Sequence, residues 1–188
     1  KIVKSVNIPI QIGGGIRSLE RIEQLFAYGV DKVIMGTSAI ENKELVKSLS
    51  TKFPRKIIIG IDAKDGKVST RGWIKQSEVL ATELVKEFSS FKISSFIVTD
   101  INTDGTLEGT NEVFIKKILE ITDIPVIASG GVGSISDLLS LTKFEHSGLS
   151  GVIVGKALYE NKFKICEANN ILSQERINDI PINKDYYA

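Results

Sequence analysis

One pattern, an apolar run followed by glycines, occurs twice in this chain. Residues 8–16 read Ile-Pro-Ile-Gln-Ile-Gly-Gly-Gly-Ile, and residues 124–132 read Ile-Pro-Val-Ile-Ala-Ser-Gly-Gly-Val, an offset of 116 positions (124 − 8). The strand after each turn repeats as well, because residues 33–39 resemble residues 152–158 at an offset of 119 positions (152 − 33). An internal repeat that spans strand–helix units predicts a duplicated half-domain.

Each repeat places its glycines where an apolar run, typical of a buried parallel strand, gives way to a helix. Glycine admits a positive φ and a close approach of backbone to ligand, and N–H groups at a helix start attract anions. The two turns predict two anion sites that face one cavity, and a ligand with a phosphate at each end. The candidate phosphate-binding residues are Gly14, Gly15, Arg17, Gly36, Thr37 and Ser38 at the first site and Ser129, Gly130, Gly131, Gly155 and Lys156 at the second.

These residues also have ordinary structural explanations. A glycine pair after a strand can be turn chemistry alone. Arg17 can be a solvated residue in the first turn of a helix, and Thr37 or Ser38 can cap one.

Strands and helices alternate along the chain. Predicted strands cover residues 8–12, 32–35, 57–62, 95–99, 125–129 and 151–154, with amphipathic helical patterns between them. Such alternation predicts parallel strands with right-handed crossovers, hence an α/β fold that is either a doubly wound sheet or a (β/α)8 TIM barrel. Barrels often hold phosphate after strands seven and eight, so the glycines at the last two strands favour the barrel.

The half-barrel repeat predicts eight strands, of which this chain supplies six. Two strand–helix units precede the second glycine turn, whereas only residues 1–7, which resemble the end of a helix, precede the first. We therefore expect strands three to eight of an N-terminally truncated barrel in a domain of residues 1–172, closed by a helix over residues 160–172. Residues 173–188 become polar and are predicted to form an extended C-terminal tail.

The composition limits the other classes of function. The 188 residues are 42% hydrophobic and 25% charged with a formal net charge of +1, which is ordinary for a globular domain. A balance so near neutrality gives no support to nucleic acid or an acidic membrane as a partner. A single cysteine, Cys166, and a single histidine, His146, argue against a disulfide and a cysteine- or histidine-rich metal site. We expect a reducing, cytoplasmic location.

Polar side chains follow two predicted strands at their carboxyl ends. Asp62 follows the apolar run of residues 57–61, where a barrel places it at the mouth, ready for general acid or base catalysis. It could otherwise be a loop or capping aspartate. Thr99 is a candidate hydrogen-bond partner near the reacting atoms, and Asp100 either supports the site or caps a helix.

Two loops contain further candidates for substrate binding. The loop after Asp62 contains Arg71 and Trp73, whose guanidinium and flat ring suit an anion or a planar heterocycle, although Trp73 could instead pack the loop onto the barrel rim. The loop after Asp100 contains the run Asp104-Gly105-Thr106, which is also the pattern of a common Asp-Gly turn.

Taken together, these motifs resemble a known family. From residue 8 to about residue 171 the chain resembles the histidine-biosynthesis isomerase family, phosphoribosylformimino-aminoimidazole carboxamide ribotide isomerase. The motifs that carry the resemblance are Gly13-Gly14-Gly15-Ile16-Arg17-Ser18, Ile61-Asp62, Thr70-Arg71-Gly72-Trp73, Thr99-Asp100-Ile101, Asp104-Gly105-Thr106-Leu107 and Gly151-Val152-Ile153-Val154-Gly155-Lys156-Ala157-Leu158.

The resemblance implies a (β/α)8 barrel whose small-molecule substrate carries phosphoribosyl groups at both ends. It implies an Amadori rearrangement, in which an aminoaldose opens and becomes an aminoketose, with no metal and no organic cofactor. Asp62 matches the family's strand-five acid, Thr99 a strand-six threonine that assists, and Trp73 a loop residue that stacks on the substrate. The family's base, an aspartate on strand one, has no counterpart in this chain. We expect a monomer.

Three alternatives stay open. The cyclase subunit of imidazole glycerol phosphate synthase shares the barrel, but the residues around Arg71 and residues 152–158 follow the isomerase. A bifunctional isomerase that also accepts phosphoribosyl anthranilate is compatible with Arg71 beside Trp73. A phosphate-binding fragment without catalysis would also explain the glycine turns and the missing first strand.

Overall fold

A computed structural model describes residues 1–70, 72–73 and 75–178, and its centre is a sheet of parallel strands. The strands are β1 (Gln11–Gly13), β2 (Lys32–Met35), β3 (Ile57–Lys64), β4 (Lys67–Thr70), β5 (Lys75–Leu80), β6 (Ser95–Asp100), β7 (Val126–Ser129) and β8 (Leu149–Ile153). The helices are α1 (Ile2–Ser5), α2 (Leu19–Ala27), α3 (Thr37–Glu41), α4 (Lys43–Lys52), α5 (Ala81–Phe88), α6 (Glu112–Leu119), α7 (Ile135–Thr142), α8 (Lys156–Tyr159) and α9 (Ile165–Asn178), with a 3-10 turn at Glu145–Ser147.

Six strands form the path β1-β2-β3-β6-β7-β8, and each neighbouring pair on it is parallel. Helices connect consecutive strands of this path, as right-handed crossovers require. The predicted α/β fold is confirmed, and the six strands are those assigned to barrel positions three to eight. None of the helices in the described ranges is long and apolar enough to span a membrane.

The two faces of the sheet have different surroundings because side chains alternate along a strand. On β3, Ile57, Ile59 and Ile61 are fully buried in the hydrophobic core shared with the helices. The intervening Gly60 and Asp62 line a cavity on the opposite face. The main apolar layer therefore lies outside the sheet, and polar residues such as Asp62 share the concave inner face with Ile34 and Ile97.

The first and last strands differ from their predicted limits. β1 begins at Gln11 instead of residue 8, because Pro9 has no N–H to donate, although the Ile10 carbonyl already accepts a hydrogen bond from the Asp31 N–H at 2.8 Å. β8 begins at Leu149, two residues before the predicted Gly151 (151 − 149).

The hairpin β4–β5 was not predicted, because its short strands contain many polar residues. It extends the sheet beyond β3, with β4 antiparallel to both β3 and β5. Asp65 and Gly66 form the two-residue turn between β3 and β4, with φ values of 53° and 79° as such a turn requires. The Asp-Gly pair was the sequence signal for the turn from β3 into β4.

The closing helix predicted over residues 160–172 begins later, at Ile165, and a separate short helix precedes it. α8 ends before Asn161, which adopts a φ of 53°, and α9 then runs from Ile165 to Asn178. The first residues of the predicted extended tail are therefore helical, and its remainder, residues 179–188, lies outside the described residues together with Arg71.

Ile59→Ala is expected to lower the free energy of unfolding by about 2–5 kcal/mol, because Ile59 is fully buried between sheet and helices. Ile153→Ala is the matched control: this inner-face side chain is 43% exposed, and its loss should cost less than about 1 kcal/mol. Urea unfolding followed by circular dichroism measures both. Equal losses would contradict the assignment of the core to the outer face.

Candidate substrate-binding and catalytic site

The carboxyl ends of the parallel strands surround a cavity of about 920 Å³. Residues that follow β1 and Ile153 of β8 line it together, so the sheet curls until its two ends face the same space. The predicted residues that the structure brings to this cavity are Gly14, Gly15, Arg17, Gly36, Thr37, Ser38, Asp62, Thr99 and Ser129.

Three polar residues form one row across neighbouring strands at this cavity. Asp62 on β3 lies opposite Thr99 on β6, and Thr99 lies opposite Ser129 on β7. Adjacent strands are about 4.8 Å apart, and residues in register on parallel strands point to the same face. A carboxylate and two hydroxyls therefore face the cavity from one level of the barrel mouth.

Trp73 contacts the predicted catalytic acid directly. Its indole Nε1–H donates a hydrogen bond to Asp62 Oδ2 at 2.9 Å. Gly72 and Trp73 have φ values of 65° and 71°, so the tip of the β4–β5 hairpin turns sharply at this point. The Trp73 side chain is 45% exposed, which leaves ring surface available for stacking.

The first glycine turn is open. Gly14 and Gly15 have φ values of 95° and 65°, yet a Cβ atom added at either would meet no atom within 4 Å. Glycine is needed here for backbone conformation alone. Arg17 is exposed directly after this turn, and Ser18 caps α2 by accepting a hydrogen bond from the Arg21 N–H.

The second glycine turn is covered by the loop between β6 and α6. A Cβ atom at Gly130 would lie 2.9 Å from the Asp100 carbonyl oxygen, and one at Gly131 would overlap the Gly109 carbonyl oxygen. The Gly109 N–H donates a hydrogen bond to the Gly131 carbonyl at 2.9 Å. Glycine is needed here because backbone packs directly on backbone.

A smaller cavity of about 170 Å³ lies between this loop and the turn. The predicted residues that line it are Asp104, Gly105, Ser129, Gly130, Gly131, Gly155 and Lys156. Lys156 Nζ donates a hydrogen bond to the Gly105 carbonyl at 2.8 Å, so it joins the start of α8 to the loop. Ser129 and Ile153 also line the larger cavity, which makes the two spaces adjacent.

The side chains of two residues predicted to bind substrate, Asp100 and Thr106, line neither cavity and are hydrogen-bonded elsewhere. The Asp100 carboxylate accepts hydrogen bonds from the Asn102 N–H and from Asn111 Nδ2, on the side of the sheet opposite Thr99. The Thr106 hydroxyl donates to the Thr103 carbonyl at 2.8 Å. The structure therefore does not bring Asp100 and Thr106 together with the other candidates.

Sequence reasoning missed the two asparagines that hold Asp100. Asn111 stands directly before the apolar pattern of α6, where Asn is typical of a helix N-cap, and its Oδ1 accepts a hydrogen bond from the Phe114 N–H. That position was the available signal. Nothing local in the sequence marked Asn102, whose amide also donates to Asp65 in the turn between β3 and β4.

The carboxyls whose pKa is lowered lie outside both cavities. In three of them a lysine ammonium donates the hydrogen bond that lowers the pKa: Asp31 with Lys56, Glu78 with Lys67 and Glu112 with Lys143. A backbone hydrogen bond lowers the pKa of Glu20 at the start of α2. These shifts follow surface ion pairing and helix starts.

Comparison with known proteins identifies close relatives. The family described as histidine biosynthesis protein matches residues 1–164. A protein of Prochlorococcus marinus subsp. pastoris is 92% identical over 188 residues, which are 100% of this chain and 74% of the relative. It is named 1-(5-phosphoribosyl)-5-((5-phosphoribosylamino)methylideneamino) imidazole-4-carboxamide isomerase.

More distant relatives have the same name. A protein of Prochlorococcus marinus strain MIT 9211 is 54% identical over 183 residues, which are 97% of this chain and 72% of the relative. One of Parasynechococcus marenigrum is 54% identical over 179 residues, which are 95% of this chain and 70% of the relative.

The two glycine turns should respond differently to the same substitution. Gly14→Ala is expected to lower the free energy of unfolding by about 1–3 kcal/mol, the cost of a positive φ without a clash. Gly131→Ala should lower it by about 2–6 kcal/mol, because overlap with Gly109 adds to the strain of its φ of 87°. Urea unfolding of both variants checks this, and equal losses would contradict the close backbone packing.

Proposed function

This chain belongs to the histidine biosynthesis protein family, and on that premise we propose that it acts as an aldose–ketose isomerase on an imidazole-carboxamide substrate with two phosphoribosyl groups. The observation that carries the proposal is the row of Asp62, Thr99 and Ser129 between the two glycine turns of one curled sheet. The relatives are named as isomerases, and the cyclase and fragment alternatives have no better support.

The two adjacent cavities support a substrate with a phosphate at each end. The open turn at Gly14 and Gly15, with Arg17 beside it, would hold one phosphate, and the turn at Gly130 and Gly131 would hold the other. The ribose that reacts would then lie between them, next to the polar row. We propose that the chain binds this substrate as a monomer in the cytoplasm, a location that its single cysteine suits.

We assign the general acid to Asp62. It would donate a proton to the ribose ring oxygen as the bond from that oxygen to C1′ breaks and the attached nitrogen forms a C=N bond to C1′. An indole N–H can only donate, so the Asp62 oxygen that faces Trp73 accepts, and a protonated Asp62 would carry its proton on Oδ1. Trp73 would therefore determine which oxygen delivers the proton.

The remaining steps move protons and electrons within the substrate. A base takes the proton from C2′ to form an enaminol, and transfer of a proton to C1′ then leaves a ketone at C2′. C2′ is oxidised and C1′ is reduced, so no external oxidant or reductant takes part. Thr99 and Ser129 would hydrogen-bond the ribose during these steps, Trp73 would stack on the heterocycle, and we assign no residue of this chain to the base.

Asp62→Asn is expected to lower the rate of isomerisation by about 100-fold or more and to leave substrate binding nearly unchanged, because the amide keeps the shape but cannot donate the acid's proton. An absorbance assay measures turnover, and calorimetry measures binding. Asp123→Asn, in the exposed loop at the opposite end of the sheet, is the matched control and should behave as wild type. Wild-type turnover in Asp62→Asn would remove Asp62 from the mechanism.

Arg17→Ala is expected to weaken substrate binding by about tenfold, the loss typical of one charge-assisted contact to phosphate. Arg21→Ala, one turn further along α2, is the control, since Arg21 is exposed and contacts Gln24 instead of the cavity. Dissociation constants from calorimetry decide the matter. Equal effects of the two substitutions would reduce Arg17 to a general surface charge.

A further inference from the structure

We propose that Asp100 and Asn111 are positioning residues for the second glycine turn, which they hold in its phosphate-binding shape through the loop between β6 and α6. The inference rests on the proposed function, since it concerns one of the two phosphate sites. It gives Asp100 a role behind the site in place of direct contact with the substrate.

The Asp100 carboxylate fastens the two ends of this loop together. Its side chain is 7% exposed, and its two oxygens accept hydrogen bonds from the Asn102 N–H at 2.9 Å and from Asn111 Nδ2 at 2.6 Å. Asn111 Oδ1 accepts a hydrogen bond from the Phe114 N–H at 3.0 Å as the cap of α6. The end of β6 is thereby tied to the start of α6.

Both hydrogen bonds matter because, among the residues that the structure describes, Asp100 is buried without an ion-pair partner. Within the described residues, the ion pairs of lysine side chains all involve other carboxylates than Asp100. A buried carboxylate that loses a donor keeps its desolvation penalty without compensation. The side-chain amide of Asn111 is therefore a strong constraint on where α6 begins relative to β6.

The position of the loop in turn shapes the second glycine turn. The Asp100 carbonyl accepts hydrogen bonds from the N–H groups of Thr103 and Asp104, which starts the loop as a tight turn. Further along, Gly109 is hydrogen-bonded to Gly131. There is no room between the two backbones for a Cβ atom, so movement of the loop must be transmitted to the turn.

The same loop supports the cationic side of the site. Its Gly105 carbonyl accepts the hydrogen bond from Lys156 Nζ, at the edge of the smaller cavity. A shift of the loop would thus displace the turn and the ammonium together. The Asp100 carboxylate neither lines the smaller cavity nor contacts Lys156, so its influence on phosphate runs through the loop.

Exchanging the two side chains tests this hydrogen bond while the pair keeps one carboxylate, one amide and the same net charge. In Asp100→Asn one acceptor oxygen becomes an NH2 donor, so the side chain can no longer accept from both the Asn102 N–H and Asn111 Nδ2. In the double variant Asp100→Asn with Asn111→Asp, the amide at position 100 donates to the new carboxylate. Aspartate is as good a helix cap as asparagine, so the bond to the Phe114 N–H is retained.

The test is a titration of the 15N-labelled 188-residue chain with inorganic phosphate, followed at the amides of Gly130 and Gly131 for the second turn and of Gly14 and Gly15 for the first. Asp100→Asn is expected to weaken phosphate binding at the second turn by about tenfold and to leave the first turn unchanged. The exchanged double variant should recover most of the affinity. Asn111→Ser, which keeps a cap but removes the amide donor, should reproduce the loss if Asp100→Asn does not fold.

Thr122→Val is the matched control for a general loss of stability. Thr122 is buried at the opposite end of the sheet, and its hydroxyl oxygen accepts hydrogen bonds from Ser89 Oγ and the Ile124 N–H, so this variant also breaks two bonds. Weakening of the second turn by Thr122→Val as much as by Asp100→Asn would overturn the inference. So would a double variant that stays weak.

Failure of this inference and failure of the proposed function give different results. A wild-type chain that binds no phosphate at Gly130 and Gly131 would overturn both, since the second phosphate site itself would be absent. Phosphate binding that is normal in the wild type and unchanged in Asp100→Asn would overturn this inference alone.

Discussion

The shared register of the parallel strands is the constraint on which the candidate site depends. Hydrogen bonds between β3, β6 and β7 place Asp62, Thr99 and Ser129 at one level. A slip of β3 by one residue would turn Asp62 toward the helices and bring an apolar side chain to the cavity. The buried isoleucines of β3 prevent that slip, because they would have to leave the core. The packing of the core therefore also determines which way the side chains of Asp62, Thr99 and Ser129 point.

A second layer of contacts connects the two loops that cover the site. The turn from β3 into β4, the first strand of the hairpin that carries Trp73, contains Asp65, whose Oδ1 accepts a hydrogen bond from Asn102 Nδ2 at 2.9 Å. Asn102 belongs to the loop that rests on the second glycine turn, and its N–H donates to Asp100. Asn102 thus connects the β3–β4 turn, which leads to Trp73, with the loop that packs on the second glycine turn. A shift of one of these segments would therefore affect the other.

Local patterns in the sequence predict the frame of this molecule and the inward-facing part of its site. The apolar run before Asp62 predicts its strand, and the repeat predicts where the glycine turns lie. The alternation of side chains along β6 also explains the outcome for Asp100: since Thr99 faces the cavity, its neighbour faces the other way. Because side chains alternate along a strand, the assignment of Thr99 to the cavity already predicts that Asp100 points to the opposite face.

The features that were missed depend on contacts between distant parts of the chain. The packing of Gly131 against Gly109 joins two loops whose proximity follows only from the assembled sheet. The division between α8 and α9 depends on one left-handed residue, Asn161, which no apolar periodicity marks. The Asp65-Gly66 turn is different, because its chemistry is local and readable, although the polar residues of the two strands that follow it conceal the hairpin.

The two glycine turns are covered unequally, so the two ends of the candidate ligand site are not equivalent. A duplicated half-barrel with equivalent ends would hold a two-ended ligand equally well either way round. Here the second glycine turn is already ordered by backbone packing, whereas the first is open. Ligand binding therefore costs conformational entropy mainly at the first turn. We expect a two-ended ligand to be held in one orientation, because gene duplication copied the turns while later contacts made them inequivalent.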